Sequence, residues 1–219
     1  MYKLGFFRKN RCHLQSNLNN KVFFLKMLSL FIKHQLKHSL CRQISRSLST
    51  KVGDFSSVHV TTHNEMPSLI ASRSIQSNEE IFQFTGKLLS ENTGDRCLQV
   101  SLKHWITPDP TESEPPWVYL NHSFNPSVHV SHEKVLPPFD TPPIITATAN
   151  HDISIDTPLT IDYTLHEWEM YEDGFECSES GRQVKGFKHL SIHEKKDVLM
   201  RCSYHIQILH KMDSMDNMK

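Results

Sequence analysis

Acidic residues are missing from the first 53 positions, which carry eleven Lys and Arg (Lys3, Arg8, Lys9, Arg11, Lys21, Lys26, Lys33, Lys37, Arg42, Arg46, Lys51). The formal net charge of zero over 219 residues therefore averages two unlike parts. Beyond Gly53, 166 residues hold all 24 Asp and Glu against thirteen Lys and Arg. CxxC pairs are also missing, and two of the five cysteines lie in the basic leader. That excludes a disulfide scaffold and a self-contained structural zinc site. No run approaches the roughly 18 uncharged apolar residues that a membrane-spanning helix needs. The hydrophobic fraction of 37% is lean, yet 166 residues suffice to bury one core.

The leader, residues 1–53, is rich in Arg, Lys and Ser and spaces apolar residues as a helix does (Leu28, Phe31, Ile32, Leu36, Leu40). This is the make-up of an organelle transit peptide, with Arg42 to Lys51 suited to processing near Ser47. A cationic amphipathic helix is drawn to an anionic membrane surface and pulled inward by an inside-negative potential. The mitochondrion is the first expectation and the plastid the second. A merely basic tail would leave the protein in cytoplasm or nucleus. A secretory signal fits less well, because Lys26 interrupts the apolar stretch Val22 to Ile32 and no small-residue cleavage pattern follows closely.

Short alternating runs dominate the body: Ser57 to Thr62, Leu69 to Ala71, Ile81 to Phe84 ending before Gly86, Leu98 to Leu102, Ile144 to Thr148 and Leu159 to Tyr163. Proline-rich loops at 108–116 and 137–143 separate them. Many short strands with turns between them predict a mainly β domain with small helices, an α+β chain, over 54–190. Trp105 and Trp117 bracket the first loop and read as hydrophobic anchors for it. The segment 191–213 reads differently. Ser191 and Glu194 form a capping box, and Val198, Leu199, Cys202, Ile206 and Leu209 recur at helical steps. These predict one amphipathic helix of about five turns docked by one face.

Three segments stand out in order: Tyr119-Leu-Asn-His-Ser-Phe-Asn-Pro126; Asp152-Ile153 with Leu159-Thr-Ile-Asp-Tyr163; and Phe175-Glu-Cys177 with Gly181 and Lys185-Gly-Phe187. Together with Leu69-Ile-Ala-Ser-Arg-Ser-Ile75 upstream, they resemble the SET-domain protein lysine methyltransferases over about residues 55 to 190. The resemblance implies a SET-like β-clip fold of short sheets. It also implies S-adenosylmethionine as cofactor, held by Asn121, His122, Ser68, Leu69 and Phe187, with Tyr163 as the catalytic phenol. A lysine tunnel would draw its aromatics from Trp168, Tyr171 and Phe175. In-line methyl transfer needs an aligned donor and a neutral, desolvated amine. An acidic body suits a lysine-containing basic protein or peptide rather than nucleic acid.

Two departures from the family pattern keep a second reading open. Where the family has Gly-x-Gly, this chain has Glu65-Met-Pro-Ser68, and Pro67 lacks an N–H. Where the family has a zinc-binding Cys after Asn-His-Ser, Phe124 stands, and Ser178 to Arg182 supplies no thiol. No metal is therefore expected. The alternative is a catalytically inactive SET-like module that binds a basic partner. Taken alone, Asn-His-Ser before Pro is a common turn, and Tyr163 could be a core aromatic. His129 and His132 form the one HxxH, which lacks the HExxH pattern and reads as surface or loop.

Overall fold

Seven glycines are too few for every turn of so strand-rich a chain, and other residues take up left-handed backbone. Asn64 and Glu65, at φ 48° and 68°, close the two-residue turn between β1 (Val58–His63) and β2 (Met66–Ala71). Two positive φ values in a row match the turn to the strand twist, and for Glu65 that costs on the order of 1 kcal/mol. The computed structural model of the protein describes residues 52–94, 96–132 and 141–216. The leader up to Lys51 and most of the second proline-rich loop lie outside the described residues.

Beyond the hairpin, β3 (Glu80–Phe84), β9 (Ile145–Ala149) and β8 (Val128–His132) form one antiparallel sheet in the order β3-β9-β8. The register runs from Val128 opposite Ala149 to His132 opposite Ile145. A second sheet is ordered β4-β6-β5, from β4 (Lys87–Leu89), β6 (Trp105–Thr107) and β5 (Leu98–Gln99). A two-residue pair, β7 (Asn121–His122) with β10 (Thr160–Ile161), is parallel. Parallel pairing needs a long connection, here the β8 and β9 hairpin. Alternation at β8 and β9 turns Val128, Val130, Ile145, Ala147 and Ala149 inward. They join Leu69, Phe82, Ile106 and Leu159 in the main core.

The C-terminal segment departs from the expected single helix. Ser191 accepts from the Glu194 N–H and Glu194 reaches back to the Ser191 N–H, so the capping box forms and opens α1 (Ile192–Val198). A 3-10 turn follows at Leu199–Arg201, Cys202 is extended, and α2 runs Tyr204–Asp216. The break has a tertiary cause: the Ser203 N–H is drawn to Leu165 O at 2.8 Å, and its hydroxyl meets His166 Nδ1 at 2.6 Å. All five expected apolar positions still face one cluster, with Cys202 and Ile206 buried and Val198, Leu199 and Leu209 packed around them and Phe187. No helix among the described residues is long and apolar enough to cross a membrane.

Candidate active site

The parallel β7 and β10 pair determines the site. Thr160 lies opposite Asn121 and Ile161 opposite His122, and the Ser123 N–H continues the ladder to Ile161 O at 3.0 Å. The residues after β10 therefore emerge beside the residues of β7. Tyr163 was expected at the end of a strand but begins a 3-10 helix, Tyr163–Leu165. Asp162 caps it, accepting from Thr164 N–H at 3.0 Å and Thr164 Oγ1 at 2.7 Å. That cap turns the chain sharply and aims the phenol back toward β7. The Tyr163 hydroxyl donates to Leu120 O at 2.8 Å, which sets its rotation.

The Tyr163 N–H donates to His122 Nδ1 at 3.2 Å, so the neutral ring carries its proton on Nε2. Burial first, and Arg182 second, push the His122 imidazole down to about 4. The ring is thus neutral at ordinary pH, and the 3.9 Å separation from Asp162 Oδ1 is no ion pair. Burial also raises the Asp162 carboxyl. His122 Nε2 is buried with no hydrogen-bond partner. Three rings surround His122: Phe124 edge-on at 4.5 Å between centroids, Tyr163 at 5.3 Å and Phe175 at 5.8 Å. Phe175 also meets Tyr163 at 5.9 Å, from strand β11 (Phe175–Glu176), paired with β12 (Gln183–Val184).

Asn121 faces the hairpin. Its Nδ2 donates to Pro67 O at 3.0 Å and to Ser68 Oγ at 2.8 Å. Odd-numbered residues of β2 bond away from β1, Leu69 O to the Leu159 N–H and the Ala71 N–H to Thr157 O. Pro67 therefore sits where β1 asks nothing of its nitrogen. Of the residues expected at the cofactor, Asn121 is hydrogen-bonded to Ser68, His122 follows Asn121 on β7, and Tyr163 lies against His122. The side chains of Leu69 and Phe187 lie in the apolar clusters. Leu69 is fully enclosed in the main core and Phe187 in the C-terminal cluster. Burying a large apolar side chain is favourable, which accounts for both placements.

The other expectations divide similarly. Of the three tunnel aromatics only Phe175 joins the Tyr163 group. Trp168 stacks on Phe187 at 5.8 Å, and Tyr171 is exposed. Trp117 stacks on Phe84 at 4.9 Å as an anchor, whereas Trp105 has a polar task, its Nε1 donating to Glu167 Oε2 at 3.4 Å. His129 and His132 are not in a loop but on β8. The His129 ring lies 6.1 Å from His166, and His132 stacks 6.0 Å from His205. They border a cavity of about 560 Å³ between β8 and the C-terminal segment. Among the described residues no three His, Cys, Asp or Glu side chains are grouped so as to hold a metal ion. The sequence reading missed Leu120, whose carbonyl orients the phenol, and Arg182; only the substitution of Phe124 for a cysteine hinted at the latter.

No curated protein sequence matches the chain. Among solved structures, a Plasmodium falciparum protein provisionally described as a histone methyltransferase aligns with a TM-score of 0.38 at 16% identity, covering 48% of this chain and 96% of the other. The family model of the SET domain matches residues 67–164. That span opens at the strand carrying Ser68 and closes one residue past Tyr163, enclosing both β7 and β10. With the two strands paired as described, residues 67–164 are the part of the chain that matches the SET domain.

Proposed function

We propose that the protein is a SET-type methyltransferase that transfers a methyl group to a lysine side chain of a basic protein or peptide. The observation that supports this most directly is the placement of the Tyr163 phenol, oriented by Leu120 O, against a buried neutral His122 and the Phe175 ring. An amine entering so apolar a setting is favoured in its uncharged, nucleophilic form. S-adenosylmethionine, when bound, supplies the electrophilic methyl group. Two features of the site suit such a cofactor: the buried His122 Nε2–H lacks an acceptor, and Asn121, the preceding residue of β7, meets Ser68 at the hairpin. Those three residues would hold it, and Tyr163 would orient the incoming amine. The excess of acidic residues beyond the leader favours encounter with a basic substrate.

One observation favours the inactive reading. Asn121 Nδ2 is already committed to Pro67 O and Ser68 Oγ, and the hairpin lacks the glycines that let a backbone approach a ligand closely. Titration calorimetry with S-adenosylmethionine separates the two. Heat of binding supports the enzyme, and none at millimolar cofactor leaves a basic-partner module. If the cofactor binds, Tyr163→Phe should lower methyl transfer to a lysine-containing basic peptide on the order of a hundredfold. Cofactor affinity should stay within about twofold, with a stability loss of about 1 kcal/mol for the lost bond to Leu120 O. An unchanged rate removes Tyr163 from the chemistry.

The leader's proposed role is a mitochondrial address. A reporter fused to residues 1–53 is expected to concentrate in mitochondria; diffuse signal throughout the cell defeats the proposal.

A further inference from the structure

A two-stranded hairpin is marginal alone in water, yet the β11 and β12 hairpin carries Phe175, the ring that lies against both His122 and Tyr163. In the family pattern, thiolates around a zinc ion tie this tail to the Asn-His-Ser turn. Here Phe124 takes the first thiol's place, Cys177 is buried and free, and one thiol makes no tetrahedral site. We infer that Arg182 is the positioning residue that clasps this tail, joining it to Phe124 of the turn after β7 and to Glu194 of α1, and so keeps Phe175 against Tyr163.

The guanidinium carbon lies 3.9 Å from the centroid of the Phe124 ring. A planar, weakly hydrated cation over a ring face is attracted by the ring quadrupole. Its terminal nitrogen also pairs with Glu194, the carboxylate that completes the capping box. One side chain therefore touches two elements besides its own. A second bond spans the same gap, from Ser123 Oγ to Glu179 Oε2 at 2.7 Å.

The hairpin transmits this hold. Gly181 N–H donates to Cys177 O and Cys177 N–H to Arg182 O, each at 2.8 Å, so the 177–182 loop is internally braced. Gly174, at φ +75°, lies so close to Val184 O that no Cβ could fit. Gly186, at φ +96°, leaves 2.8 Å between a notional Cβ and Trp168 O. Arg182 and Phe175 thus belong to one stiff unit. Phe124 serves the clasp on both sides, in a T-shaped pair with His122 and with its ring under Arg182.

The value of the clasp to activity rests on the proposed function; its existence does not. Hydrogen exchange is measured on the full chain and on Arg182→Ala, Arg182→Lys and Phe124→Leu. In Arg182→Ala, the Cys177 and Gly181 amides should exchange roughly tenfold faster, while amides of β8 and β9 keep their rates. Arg182→Lys retains a cation for Phe124 and Glu194 and should recover at least part of the protection. Phe124→Leu keeps apolar volume without the quadrupole and should lose part of it. Added chelator should change nothing. Unchanged exchange in Arg182→Ala, no recovery with Lys, uniform acceleration across β8 and β9, or sensitivity to chelator would each overturn the clasp. Calorimetry with S-adenosylmethionine on the same variants tests the link to function. A cofactor that fails to bind even the unsubstituted chain defeats the proposed function while the exchange result still decides the clasp; a cofactor that binds should bind Arg182→Ala roughly tenfold more weakly, and equal affinity would separate the clasp from the site.

Discussion

Glu167→Gln is expected to remove the loss of stability that ionisation of Glu167 causes between about pH 5 and pH 8, most visibly above pH 6.5, where no histidine effect opposes it. Glu167 is 5% exposed. Its Oε1 accepts from the Gln99 N–H at 2.6 Å and its Oε2 from Trp105 Nε1 at 3.4 Å. The Trp168 N–H donates in turn to Gln99 Oε1 at 2.9 Å, so this carboxyl joins the β4-β6-β5 sheet to the tail. Burial outweighs both bonds and pushes the carboxyl up to about 8. A group whose folded value exceeds its unfolded value contributes its full stability below the unfolded value, near 4.5, and loses it as pH rises through 8. At about 1.4 kcal/mol per unit, the loss is roughly 3 to 5 kcal/mol. Denaturant unfolding at pH 5, 6.5 and 8 measures it. The amide introduced by Glu167→Gln cannot ionise and should leave midpoints flat across that range apart from the histidine effect below. A flat profile from about pH 6.5 to 8 in the unsubstituted protein defeats the assignment.

The acid side runs the other way. Burial lowers His122 and His205 to about 4 each and His166 well below its ordinary value. His205 Nε2 donates to His166 O at 2.8 Å, and its Nδ1 is buried without a partner. Around this group stand His129 and His132 of β8, Asp162 and Arg201, and the neighbouring histidines and Arg201 all oppose added positive charge. For a depressed histidine the stability is present above about 6.5 and is lost as pH falls toward 4. Two or three protons then act together, at about 3 kcal/mol for each of His122 and His205. His205→Gln, whose amide can still donate to His166 O, should make the acid limb shallower by about one proton. An unaltered acid slope would show that His205 does not report on folding. With Glu167 opposing from the alkaline side, stability should be greatest near pH 6.5.

Much of the candidate site was legible because its residues are close in sequence and chemically marked. Asn121, His122 and Tyr163 stand in short polar segments that locally cap or pair, and β10 places them together. Strand β8 escaped notice because two of its five residues are histidines, which blur an apolar alternation that Val128 and Val130 otherwise show. Leu69 and Phe187 show a related limit. A motif position says which residue is present, while the side a large apolar group turns to is decided by where a core lies.

By itself the sequence determined the charge division, the strand-rich class, the capping box at Ser191 and the order of the site segments. Each follows from composition, spacing of two or about four residues, or hydrogen bonds between near neighbours. The tertiary structure alone decided that the C-terminal helix breaks at Cys202, that Glu167, His166 and His205 are buried, and that Arg182 reaches Phe124. Those outcomes depend on partners distant along the chain, such as Leu165 for Ser203 or Gln99 for Glu167. The energy of a buried carboxyl or an enclosed imidazole comes from what surrounds it, and only the packed chain supplies the surroundings.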